Sequence, residues 1–139
     1  METKQIIMNY NDLRAALYII ENYSVTEIQR MMELCKDIDS NILEMVCRDF
    51  KVTPKQVKSK SRKGNIKIAR FITIYLLRKY GELPSLKEIG MFLGGRDHST
   101  ILHSLRQVDN YIDTGYKVDA INKLEEEVKY FLKTIKGEL

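Results

Sequence analysis

Nowhere in this chain do apolar and polar residues alternate long enough to make a half-buried strand. Apolar side chains instead return every three to four positions, in successive stretches separated by caps, glycines and prolines. That periodicity admits only an all-α fold, a multi-helix bundle. The first helix is expected over residues 11–23, with Leu13, Leu17 and Ile20 on one face. Ser24-Val-Thr-Glu27 is a capping box that opens a second, burying Ile28, Met31, Met32 and Cys35. A third begins near Asp39–Ser40 and presents Leu43, Val46 and Phe50. Thr53-Pro54-Lys-Gln56 starts a short fourth, with Thr as cap and Pro in the first position. Residues 59–65 then read as a polar loop around Gly64.

A long helix over residues 66–80 carries Ile68, Ile72, Tyr75, Leu76 and Lys79, and Gly81 with Pro84 ends it. Ser85-Leu-Lys-Glu88 is a second capping box, before a helix packing Leu86, Ile89 and Phe92. After Gly94-Gly95, Asp97 caps a helix expected to bury Ile101, Leu105, Val108 and Ile112. The last helix, residues 119–136, shows Ile121, Leu124, Val128, Phe131 and Ile135 as a stripe. With 44% apolar and 30% charged residues in 139, the chain can build an ordinary core without staples. Cys35 and Cys47 share no close-spaced motif, and no run approaches the length of a membrane span, so a cytoplasmic protein is expected.

Charge is distributed unevenly. Residues 1–50 hold nine acidic and five basic side chains, residues 51–110 four and thirteen, and residues 111–139 six and five. From Lys51 to Arg70 there are eight basic residues and no acidic one, the footprint expected for a polyanion. His98 and His103 share no helix face and no Cys or carboxylate cluster, so no metal site is expected. No nucleophile–base or carboxylate pair suggests catalysis either, and no cofactor is expected.

The stretch from Ser85 to about Tyr111 has the layout of a helix-turn-helix: a capped short helix, a glycine turn, then a longer helix opening with Asp97-His98-Ser99-Thr100. Gly94-Gly95-Arg96-Asp97-His98-Ser99-Thr100-Ile101-Leu102-His103 resembles the signature of the C-terminal DNA-binding domain of the bacterial replication initiator DnaA. Ser85-Leu86-Lys87-Glu88-Ile89-Gly90 resembles that family's preceding helix. Ser59-Lys60-Ser61-Arg62-Lys63 with Ala69-Arg70 resembles its basic loop and following helix. The resemblance implies a TrpR-like helix-turn-helix domain over residues 40–139, preceded by a two-helix extension in residues 1–39.

It also implies a partner, duplex DNA carrying a DnaA box of the type TTATNCACA. Arg62 would enter an A·T-rich minor groove, while Asp97 and His98 would meet base edges in the major groove. Ser99 would lie against a thymine and Thr100 near the backbone, with Arg70, Arg78 and Arg96 holding or framing phosphates. Ser85 and Lys87, at the start of the preceding helix, join the contact set.

Four positions depart from the family pattern: Ser99 for threonine, Lys87 for proline, and Gly64 and Phe71 for basic and glutamine residues. Lys63 and Lys67 are placed to compensate, and a relaxed or shifted nine-base preference is expected. No phosphate-binding loop of the form G-x-x-x-x-G-K-[ST] occurs, so the expectation is a box-binding protein of a bacterium, phage or mobile element, acting in replication initiation without an ATPase. The alternative is an adaptor or transcriptional regulator that keeps the fold and contacts a protein through residues 1–39.

Overall fold

The structure, a computed structural model, describes residues 17–18, 21–27 and 37–136. The chain divides into two compact units, residues 1–36 and 37–139. In the first, residues 17–18, 21–22 and 25–27 are helical, and the Ser24 box is formed in both directions. Ser24 N–H donates to Glu27 Oε2 at 2.8 Å, and Glu27 N–H donates to Ser24 Oγ at 3.2 Å. The expected apolar positions Leu13, Ile20, Ile28, Met31, Met32 and Cys35 lie outside the described residues.

The second unit is built from α1 (Ile38–Phe50), α2 (Pro54–Lys58), α3 (Gly64–Tyr80), α4 (Leu86–Phe92), α5 (His98–Thr114) and α6 (Val118–Lys136), with no strand among the described residues. The fold is all-α. Helix α3 runs through its centre, packed on α1, α2, α4, α5 and α6. Ile68, Ala69, Ile72, Ile74, Leu76 and Leu77 are all buried, so α3 is apolar around most of its circumference, as a central helix must be. Thr73 is buried too, its hydroxyl donating to Ala69 O at 2.7 Å.

Several boundaries differ from those read in the sequence. Asp37, not Asp39 or Ser40, caps α1, its Oδ1 accepting from Ser40 N–H at 2.7 Å. That frees Asp39 to turn inward, where it is buried and accepts from Glu82 N–H at 3.0 Å, just past the end of α3. Gly81 sits against this carboxylate. A Cβ there would collide with Asp39 Oδ1, so glycine is required by close approach, its φ of −78° being ordinary. Gly64, expected in the loop, is the first residue of α3.

Tyr75 packs against the edge of the core, while Lys79 stays outside it. Tyr75 is half-buried and Lys79 exposed, and both turn to Glu125 on α6. Ile112 and Ile135, in the last turns of α5 and α6, are 42% and 47% exposed, so the buried stripes stop one turn short. In α6 the rest of the stripe, Ile121, Leu124, Val128 and Phe131, is buried as the periodicity requires. Of the box at Ser85 and Glu88, only the Ser85 half is formed.

Candidate nucleic-acid interface

The basic loop owes its shape to serines. At α2 the Thr53 box closes in both directions, Gln56 N–H to Thr53 Oγ1 at 3.1 Å and Thr53 N–H to Gln56 Oε1 at 2.9 Å. The helix then ends because Ser59 takes an extended conformation and its hydroxyl donates back to Gln56 O at 2.6 Å. Ser61 N–H donates to Ser59 Oγ at 3.2 Å, and Lys63 N–H donates to Ser61 Oγ at 3.3 Å. Two successive side-chain turns of this kind carry the chain from α2 to α3 in an ordered path. Lys60, Arg62 and Lys63 are left exposed.

Two arginines lie beneath and beside the loop. Arg70, in the second turn of α3, is only 5% exposed. Its Nε donates to Val57 O at 2.7 Å, and its Nη2 donates to Ser59 O at 2.7 Å and Gln56 O at 3.4 Å. Arg96, half-buried in the turn before α5, donates from Nη1 to Lys58 O at 3.2 Å and to Leu93 O, and from Nη2 to Ser59 O. Burial, then the neighbouring charge of Arg96, lowers the Arg70 pKa to about 10; burial also lowers that of Arg96. Arg70 therefore keeps its charge at neutral pH.

The turn between α4 and α5 brings the next element against this loop. Gly95 N–H and Arg96 N–H both donate to Gly90 O, at 2.9 and 2.8 Å. Gly94 has φ +90°, and a Cβ on it would strike Lys58 O, so only glycine permits the turn to touch the end of α2. Helix α5 then starts with Asp97 as its cap, Oδ1 accepting from Thr100 N–H at 2.8 Å. That bond holds the Asp97 carboxyl below the usual range. His98, Ser99 and Thr100 are exposed in the first turn.

Between loop and helix lies an open cleft of about 510 Å³. Lys60, Arg62 and Lys67 line one side, and Thr100, His103 and Ser104 the other. Arg70, Phe71 and the turn of Gly94, Gly95 and Arg96 complete the lining. Of the residues singled out in the sequence, the cleft thus gathers Arg62, Lys67, Arg70, Arg96 and Thr100. Asp97, His98 and Ser99 stand at the adjoining helix start.

Lys63 is exposed at the N-cap of α3, and Arg78 is exposed in that helix's last turn. Lys87 is exposed in the first turn of α4, where Ser85 is half-buried as the cap. None of these four lines the cleft. Lys60, Phe71 and His103, named in the sequence only within the family blocks or as a departure from them, also line the cleft, as does Ser104, which the sequence did not single out. His103 was legible in one respect: three residues after Thr100, it must share that residue's face of α5. It is exposed and meets the ring of Phe71 edge-on, centroids 6.2 Å apart.

A short capped helix, a glycine turn and a long helix whose exposed first turn borders a cationic cleft define a helix-turn-helix domain of the DNA-binding class. Residues 40–108 match the bacterial dnaA protein helix-turn-helix family, and the domain they form belongs to it. The chain is similar to the chromosomal replication initiator protein DnaA of Gloeobacter violaceus, 45% identical over 71 residues, which are 51% of this chain and 16% of that protein. The protein of the same name from Borrelia duttonii is 42% identical over 69 residues, 50% of this chain and 14% of the relative. That of Chlorobaculum tepidum is 35% identical over 94 residues, 68% and 18%. The chain thus spans less than a fifth of the length of these relatives.

Among the described residues no group of three or more His, Cys, Asp or Glu is placed to hold a metal ion. No described helix is long and apolar enough to cross a membrane.

Proposed function

We propose that this domain binds duplex DNA in a sequence-specific way, at sites of the DnaA-box type, and acts in or on replication initiation. The observation that carries the reading is the cleft: it joins an ordered cationic loop to the exposed start of a capped helix. That pairing suits a strand of DNA with a groove on either side. In this reading Arg62 enters the minor groove, whose narrow A·T-rich form attracts guanidinium. His98 and Asp97 read base edges in the major groove, and Ser99 lies against a thymine. Lys63, Lys67 and Lys87 neutralise phosphates, Thr100 lies near the backbone, and Arg78 and Ser85 flank the site and fix register. The DNA reading locates the protein with the bacterial nucleoid, or with the DNA of a phage or mobile element. The 139 residues contain no phosphate-binding loop of the G-x-x-x-x-G-K-[ST] form, so origin opening by ATP turnover is not assigned to them.

The test is fluorescence anisotropy with a duplex carrying TTATCCACA against a scrambled duplex, over a salt series. A preference of about 10³-fold or more is expected for the box. A slope of log K against log salt near −4.5, for about five neutralised phosphates, is expected with it. Equal affinity for both duplexes would overturn sequence-specific recognition, and no binding to either would overturn DNA as the ligand.

A further inference from the structure

The structure assigns Arg70 and Arg96 a role other than gripping phosphate: we propose that they are positioning residues, a clasp that locks the basic loop to the turn of the helix-turn-helix. The carbonyls of residues 56–59 are where the two arginines meet. Arg70 reaches up from α3 to Gln56 O, Val57 O and Ser59 O, while Arg96 reaches across from the turn before α5 to Lys58 O and Ser59 O. Ser59 O is shared by both guanidiniums. Arg96 Nη1 also holds Leu93 O, so one side chain ties the end of α4 to the end of α2.

Gly94 fits the same arrangement, since its missing Cβ leaves room for Lys58 O. Lys58 closes the junction from outside, its ammonium 4.9 Å from the ring centroid of Phe92. Hydrogen bonds from a charged donor to carbonyls in a half-buried site are among the stronger ones. Nε and Nη2 of Arg70 and both terminal nitrogens of Arg96 are here engaged by main chain, so what these residues contribute is register. The loop bearing Arg62 and the helix bearing His98 are held at one fixed separation. Where the DNA reading above holds, on which this consequence rests, the protein reads its two grooves at one spacing only.

Arg96→Lys tests this, because it keeps the charge while a single ammonium cannot span Lys58 O, Ser59 O and Leu93 O. In free protein, trypsin cleavage after Lys60, Arg62 and Lys63, read by mass spectrometry, is expected to rise about tenfold, with the helical circular dichroism signal retained. Unchanged cleavage would overturn the clasp. A wild-type measurement guards against a variant that does not fold: the amides of Ser61 and Lys63 are expected to exchange slowly, and exchange at unstructured-chain rates would equally overturn it.

With DNA, one base pair inserted between TTAT and CACA is expected to weaken wild-type binding about tenfold or more, and Arg96→Lys binding by less than about threefold. The salt slope of the variant should match that of wild type. A loosened loop with undiminished spacing selectivity would overturn the register role. A wild type that ignores the box altogether would overturn the DNA reading instead, and the trypsin result would still decide the clasp.

Discussion

Replacing Glu125 with alanine should loosen the attachment of α6 to α3, and the structure gives the size of the effect. Glu125 lies on α6, beyond the residues that match the DnaA family, yet its carboxylate is the meeting point of three α3 side chains. Tyr75 OH donates to Oε1, Lys79 Nζ donates to Oε1 at 3.2 Å, and Tyr80 OH donates to Oε2 at 3.3 Å. The Glu125 side chain is 13% exposed, against 75% for its neighbour Glu126.

A tyrosine–carboxylate bond at such a site is worth about 1.5–3 kcal/mol. The longer bond from Tyr80 adds about 0.5 kcal/mol. Lys79 is half exposed, so its ion pair adds about 0.5 kcal/mol or less. Glu125→Ala should therefore destabilise the folded unit by about 3 kcal/mol, lowering Tm by roughly 12 °C for a unit near 100 residues. Glu126→Ala should move Tm by less than about 2 °C, as exposed substitutions do. Glu125→Gln, which keeps an acceptor oxygen, should fall between.

Acid adds a second reading. Burial pushes the Glu125 carboxyl up, but the bonds from Tyr75, Lys79 and Tyr80 outweigh it and leave the pKa below its ordinary 4.5. A depressed carboxyl contributes stability above its unfolded pKa and loses it as pH falls through the folded one. Wild type should thus lose this contribution below about pH 4.5, and Glu125→Gln should lack that component. Melts followed by circular dichroism at neutral pH, then from pH 6 to 3, measure both. A Glu125→Ala melting point within about 2 °C of wild type would refute the reasoning.

Other perturbations separate the parts of the interface. Asp97→Ser keeps a good helix cap but shortens the side chain, so stability should hold while discrimination at the base it contacts falls about tenfold; intact discrimination in a panel of single-base variants would assign Asp97 to capping alone. Arg62→Ala should weaken box binding, erase the preference for the A·T-rich half, and make the salt slope shallower by about 0.9. An unchanged slope in anisotropy titrations would remove Arg62 from the backbone and minor-groove contacts. Cys47 is 4% exposed, and burial, with the charge of Glu44 added, pushes its thiol up to about 11. In a Cys35→Ser background it should resist a thiol reagent at pH 8 until the protein is unfolded; rapid native-state labelling would contradict that burial.

The helices were legible where periodicity and punctuation agree. The Thr53 box, the glycine turn at 94–95 and the Asp97 cap are local patterns, and each forms as its residues require. What the sequence hid was set by distant partners. Asp37, Asp39 and Ser40 are all reasonable caps; the choice fell to Asp37 because Asp39 is needed by Glu82 N–H, forty-three residues on. Glu125 sits in a run of three glutamates that reads as a solvated face, and only the position of Tyr75 across the helix pair singles it out. Arg70 looks like one more cation in a basic block, because nothing local reveals that the carbonyls of residues 56, 57 and 59 come to rest around it. The cleft itself was half legible: its cationic wall follows from composition, and its helical wall from the motif. The depth between them depends on how α3 carries Phe71 beneath His103.

Arg70 and Arg96 hold the loop by its peptide oxygens, which every amino acid supplies alike. The attachment is therefore indifferent to which side chains stand at positions 60, 62 and 63. Those three residues can be exchanged, to follow a different stretch of DNA or a weaker one, while the path of the backbone that displays them stays where it is. The fold separates the part that can drift from the part that must not.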